Sequence, residues 1–127
     1  MAHWAAMLGK MTDVNDYNAL VDSVRASWAG KYDALVSTTR SGKPTQGKRD
    51  WVQTLNALGL DMEAFGNSSS SAAAVTAIVS DVARAGGHLQ TGIIGTKYLL
   101  RSLSLHGRAD VAWQVASTTS FPGYGYM

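Results

Sequence analysis

The sequence predicts an all-α fold of paired antiparallel helices, and three observations carry that prediction. Apolar residues recur at three- and four-residue spacing in segment after segment. No stretch shows the strict apolar/polar alternation of a half-buried strand. The periodic segments are punctuated by glycines and by polar tracts, alternately short and long. Helix pairs joined in this way suit a helical toroid.

Met1 to Gly9 reads as the end of a helix, with Trp4, Met7 and Leu8 on one side and Gly9 as the stop. Thr12 or Asp13 is the expected cap of the next helix, because a short oxygen-bearing side chain accepts from free backbone N–H groups. Tyr17, Leu20, Val21, Val24 and Trp28 form its apolar stripe, Asp16, Asp22 and Arg25 lie off it, and Gly30 is the expected end. Tyr32 to Asp50 has no sustained period and reads as a loop, with a short strand allowed at Ala34 to Ser37. A structureless stretch of that length is usually functional or disordered.

Trp51 to Leu60 is a short helix with Val52, Leu55 and Leu58 at three-residue spacing, which Gly59 interrupts. Gly66 and Asn67 close that segment. One of Ser68 to Ser71 is the expected N-cap of a helix over Ala72 to Ala85, whose apolar positions are Val75, Ile78, Val79 and Val82. Gly86 and Gly87 stop it. Thr96 is the expected cap of a helix through His106, Gly107 breaks the chain, and Ala109 to Ser117 resumes as an antiparallel neighbour.

Composition removes several functions. The 127 residues make at most one domain, 1–127, long enough to bury a core. Lys and Arg exceed Asp and Glu by 11 to 9, and apart from Lys43, Lys48 and Arg49 the cations are scattered, so no nucleic-acid partner is expected. No apolar run approaches the roughly 20 residues of a spanning helix, and no basic-then-apolar leader opens the sequence, so no membrane partner is expected either. With no cysteine there is no disulfide and no thiolate metal site. His3, His88 and His106 offer no helix-face pair, so neither a metal nor a cofactor is expected.

The chain is organised around Gly86 to Thr96, with four glycines in the ten residues from Gly86 to Gly95. Such a backbone can approach another group closely. It is not a phosphate cradle, since Thr91-Gly92-Ile93-Ile94-Gly95-Thr96 has neither the lysine nor the preceding strand that a cradle requires. His-Leu-x-Thr-Gly-x-x-Gly-Thr-x-Tyr-Leu-Leu at His88 to Leu100, Leu-Ser-x-His-Gly-Arg-x-Asp-x-Ala at Leu103 to Ala112 and Phe-Pro-x-x-Gly-Tyr-Met at Phe121 to Met127 stand in that order. In order and spacing these blocks resemble the catalytic domain of the inverting α-L-rhamnosidases. Val52 to Leu60 extends the likeness upstream.

The resemblance implies a partial (α/α)6 barrel, cut at both ends, from an enzyme that removes terminal rhamnose from glycosides. It also implies a long irregular connection near Tyr32 to Asp50, a general acid upstream of this sequence and a general base downstream of it. No catalytic residue is therefore assigned, and this chain alone is expected to be inactive. Inversion needs two opposed carboxyl groups, and the acids present fit other roles. Asp61 and Glu63 follow a helix end and read as solvated, while Asp110 reads as the N-terminal charge of its helix.

Binding candidates are drawn from the loop and the aromatics. His88 is either a loop-bracing residue or a neighbour of the sugar, whereas His106 reads as a helix C-terminal residue meeting the last carbonyls. Thr91, Gly92 and Thr96 either approach a sugar or only shape the turn. Aromatic rings stack on the apolar C–H face of a pyranose. Trp51 beside the long loop and Tyr124 and Tyr126 in the last block are the candidates, while Trp4, Trp28 and Trp113 read as packing. The alternative to a glycosidase is a non-catalytic helical module that binds sugar or a partner, with self-association through helix faces left uncovered.

Overall fold

The computed structural model describes residues 1–36 and 52–126, and every regular element among them is helical. The order is α1 (Ala2–Met7), α2 (Met11–Val36), α3 (Val52–Asp61), α4 (Ser68–Arg84), α5 (Ile93–Leu105) and α6 (Ala109–Ser117), followed by a 3-10 turn at Tyr124–Tyr126. Helix α3 packs on α4 and α5, α5 on α6, and α1 on α2. The arrangement is that of antiparallel helix hairpins, a part of an (α/α)6 toroid.

The core lies among α3 to α6: Ala57, Leu60, Phe65, Ala74, Ile78, Val82, Leu99, Leu103, Val111, Ala112 and Val115. Ile78, Leu99 and Leu103 are wholly buried, each worth about 1.5–3 kcal/mol of apolar burial. Glycine ends the helices where the chain needs a left-handed residue: Gly86 and Gly87 have φ of 66° and 85°, and Gly107 has 76°.

Several helix ends differ from the sequence expectation. Helix α2 begins at Met11, so Thr12 and Asp13 lie inside its first turn, where Asp13 still complements the helix dipole. It runs through Gly30, and Ala34 to Val36 are helical rather than a strand. An interior glycine costs about 1 kcal/mol, too little to end a helix this long. Ser37, the rest of the expected loop and Trp51 lie outside the described residues. The cap of α4 is Asn67, whose Oδ1 accepts from Ser70 N–H at 2.7 Å, ahead of the serines. The cap of α5 is Gly92, and Thr96 lies within the helix.

The apolar stripe of α2 keeps its period but not its burial. Leu20, Val21 and Val24 are exposed, as are Met7 and Leu8 on α1 and Trp4 at 64%. Trp113 on α6 is likewise exposed rather than packed. Periodicity reports which residues share a face, and burial requires a second element on that face.

On α3 the outcome is reversed. The expected stripe of Val52, Leu55 and Leu58 is half-buried, while Gln53, Thr54, Asn56, Ala57, Gly59 and Leu60 are buried. Gly59 does not interrupt the helix; it admits the Phe65 ring, whose nearest atoms lie 2.7 Å from where a Cβ would stand. Gly95 does the same for α5, because a Cβ there would stand 2.5 Å from Thr54 Oγ1. Close approach also lets Ser102 Oγ donate to Ala57 O at 3.0 Å in the interior.

Gly95→Ala tests this contact, because helix propensity and packing predict opposite signs. Propensity alone would gain about 0.5–1 kcal/mol, and overpacking costs typically 1–3 kcal/mol. A net loss of stability is expected in urea unfolding, with much of it recovered in Gly95→Ala/Thr54→Ala.

Candidate functional site

The glycine-rich segment between α4 and α5 is held by three attachments. Its first attachment is His88. The Nδ1 atom lies 2.8 Å from Ala85 O, and since a carbonyl only accepts, Nδ1 carries the hydrogen. In the neutral ring Nε2 is then the acceptor, and Ser120 Oγ stands 2.8 Å from it as donor. This imidazole therefore ties the loop to the segment after α6.

Thr118 makes a second tie to the same segment, its Oγ1 within reach of both Gly87 O at 3.1 Å and Gln114 O at 2.8 Å. Gly87 fits closely here, since a Cβ would lie 3.1 Å from Gln114 Nε2. Farther on, Gly125 N–H donates to Thr118 O at 3.0 Å, and Gly123 lies so near Thr118 O that a Cβ would be 2.4 Å from it. The Gly-Tyr-Gly-Tyr turn is thus folded back on the end of α6 by glycines that leave room for the backbone.

The third attachment comes from below, through α3. Gln53 is wholly buried. Its Oε1 accepts from Gln90 N–H at 2.9 Å, and its Nε2 donates to Asp81 Oδ2 at 2.9 Å and, more weakly, to His88 O at 3.4 Å. Asp81, buried on α4, is paired through its other oxygen with Arg84. A buried charge needs such partners.

The predicted residues fall into two groups along this segment. His88, Tyr124 and Tyr126 belong with the C-terminal turn through Ser120 and Thr118. Tyr124 is half-buried, and Tyr126, 63% exposed, meets Phe121 edge to face with ring centres 5.5 Å apart. Thr91, Gly92 and Thr96 form the start of α5. Thr96 Oγ1 donates to Gly92 O at 3.0 Å, so the 2.6 Å contact between the two threonine hydroxyls has Thr91 as donor. Both hydroxyl hydrogens are thereby used inside the turn, and the exposed Gly92 backbone remains the open part. The loop backbone joins the two groups. Trp51 lies outside the described residues.

The sequence reading missed Gln53, Asp81, Thr118 and Ser120. Asp81 had a signal, since it falls on the stripe of Ala74, Ile78 and Val82, where an acid has to be paired. Gln53 likewise shares a face with Ala57 and Leu60.

Two further ion pairs lie outside the loop. Arg101 pairs with Asp61, and Arg25 with Glu63 at 3.0 Å. His106 Nδ1 lies 2.8 Å from Ser102 O, as its place at a helix C-terminus predicts. Among the described residues no group of three His, Asp or Glu could hold a metal ion, and no helix is long and apolar enough to cross a membrane.

Helix hairpins joined by a braced glycine-rich loop are the architecture of a piece of a six-hairpin domain. The chain belongs to the family of the bacterial alpha-L-rhamnosidase 6 hairpin glycosidase domain, which it matches over residues 1–127. An alpha-L-rhamnosidase of Formosa agariphila is 43% identical over 42 residues, which are 33% of this chain and 4% of that protein. The alpha-L-rhamnosidase of Streptomyces avermitilis, solved with L-rhamnose, superposes with a TM-score of 0.78 at 29% identity, over 98% of this chain and 11% of that one. The native enzyme of Aspergillus terreus shares the fold with a TM-score of 0.74 at 21% identity, over 98% of this chain and 13% of that one. The chain therefore spans about a tenth of each solved relative.

Asp110 gives a direct electrostatic test of local order. Bonds from Arg108 Nε at 3.0 Å and from its second nitrogen at 2.9 Å hold the carboxyl down at about 2. A lowered folded pKa means that the pair contributes above the unfolded value, about 3.9, and is lost as pH falls through about 2. Arg108→Ala is expected to return the NMR titration midpoint of Asp110 toward the ordinary carboxylate range. Stability at neutral pH should barely change, because both groups face solvent.

Proposed function

We propose that this chain is part of the catalytic domain of an inverting α-L-rhamnosidase that hydrolyses terminal α-L-rhamnose from glycosides. The family match over residues 1–127 carries this reading. The similar Streptomyces enzyme, solved with L-rhamnose, supports the choice of sugar. In this reading the chain supplies one wall of the sugar pocket: Gly92 with Thr91 and Thr96 at the head of α5, His88 bracing the loop, and Trp51, Tyr124 and Tyr126 offering ring faces to the pyranose.

The two reacting carboxyl groups come from outside the chain. Inversion needs an acid and a base about 6.5–9.5 Å apart with room for a water between them. Asp61, Glu63, Asp81 and Asp110 are each engaged by arginine or glutamine and fit neither part.

The test is rhamnose release from an aryl α-L-rhamnoside by the 127-residue chain and by the chain extended through its neighbouring coding sequence. Release is expected from the extended protein only, with β-L-rhamnose as the first anomer seen by NMR. Release by the 127 residues alone would overturn the assignment of the carboxyl groups. Folded but inactive forms of both would overturn the glycosidase reading.

The exposed side chains favour one further reading, a helical module that associates with itself. Trp4, Met7, Leu20, Val24 and Trp113 present apolar surface that in a six-hairpin domain would face other helices. Sedimentation of the 127-residue chain is expected to show concentration-dependent oligomers, and a strict monomer would remove this reading.

A further inference from the structure

The amide of Gln53 contacts the loop at two backbone points, on either side of Leu89. It accepts the Gln90 N–H and lies within weak donating range of His88 O. Residues 88–90 belong to no helix, so the packing of Leu89 against the core and side-chain bonds of this kind decide where their backbone runs. An amide can bind a backbone in either of two orientations, and Asp81 selects one. An ionised carboxylate only accepts, so Nε2 must turn toward Asp81 and Oε1 toward the Gln90 N–H. Arg84 holds Asp81 in turn. The order of dependence runs from Arg84 to Asp81 to Gln53 to the loop, through side chains that are buried at the two central steps.

From this geometry we infer that Gln53 is a positioning residue for the sugar-facing loop, setting the place of His88 and of the Thr91–Gly92 turn without itself touching substrate. The inference rests on the rhamnosidase reading for the identity of the substrate. The placement of the loop by Gln53 stands apart from it. A buried Leu or Met would fill the same space in α3, so packing alone does not call for an amide. What the amide adds is a donor and an acceptor fixed in sense, directed at the backbone on either side of Leu89, the loop residue that packs against the core.

The test reverses the polarity of the pair. Gln53→Glu keeps the shape and the acceptor for Gln90 N–H but sets a carboxylate against Asp81. Gln53→Glu/Asp81→Asn restores one charge and one amide with the donor now on the α4 side. In the extended enzyme, kcat/KM on an aryl α-L-rhamnoside is expected to fall about a hundredfold in Gln53→Glu, the scale of a misplacement near 1 Å. It should recover to within about tenfold of the parent in the double variant, with both variants folded by circular dichroism. In the 127-residue chain, exchange of the Gln90 amide hydrogen should quicken in the single variant and slow again in the double.

Parent-like kcat/KM in a folded Gln53→Glu enzyme would overturn the inference. So would a double variant that refolds fully yet stays as slow as the single one. If the parent enzyme releases no rhamnose, the substrate reading fails by itself. Amide exchange then decides the rest: unchanged exchange at Gln90 overturns loop positioning, and the quicken-and-slow pattern upholds it.

Discussion

The close approach of α3 to α5 is the constraint on which the rest of the structure depends. Helix α3 is short, and much of its buried face is polar, with Gln53, Thr54 and Asn56 beside Ala57, Gly59 and Leu60. Such a face cannot be held by apolar burial alone, because each polar atom removed from water has to find a partner or lose about 1–3 kcal/mol. Gln53 finds partners for both ends of its amide, whereas Thr54 Oγ1 and Asn56 Oδ1 have none among the described residues, and close packing holds this face. Gly95 lets α5 come down onto Thr54, Gly59 lets the Phe65 ring cover the other end, and Ser102 reaches the α3 backbone at Ala57. Asn56 Nδ2 turns back on its own helix to Val52 O.

That proximity sets the position of the loop. With α3 fixed between α4 and α5, Gln53 comes within hydrogen-bond distance of Asp81 on one side and of Gln90 on the other. The loop leaves α4 through two left-handed glycines and enters α5 through Gly92, so neither helix dictates its path. Bonds from α3 and from the segment after α6 do that instead. Flexibility in the sequence and fixity in the structure are compatible for this reason: glycines permit the path and distant side chains select it.

How much of this was legible beforehand follows from the range of each interaction. The helices were legible, because a period of three and four residues is local, and so were the stops at Gly86, Gly87 and Gly107, because left-handed φ is a property of one residue. Gly30 does not end its helix, and the close contact at Gly59 has no local signal, for the converse reason. A glycine inside a helix is tolerated, and whether it serves a turn or a close contact depends on what lies opposite. Asn67 and four serines stand in a row, each able to cap α4, and only the backbone geometry singles out Asn67. His88 was legible as a residue with a task, through its block, yet its partner Ser120 is 32 residues away and no local pattern connects them. Gln53 was hidden twice over, by partners 28 and 37 residues distant and by the habit of placing polar residues outside.

The contrast between the two halves of the molecule is informative in the same terms. Helices α3 to α6 share one core and carry the buried hydrogen bonds, whereas α2 meets them against α4 and through Trp28 at Gly59 and Arg25 at Glu63. The Arg25–Glu63 pair is exposed and adds little stability. The order of the loop therefore belongs to the α3–α6 unit and is independent of what covers the apolar side of α2. The physical division of labour in the chain is then plain: one pair of helices presents a face, and the other four hold a loop in place.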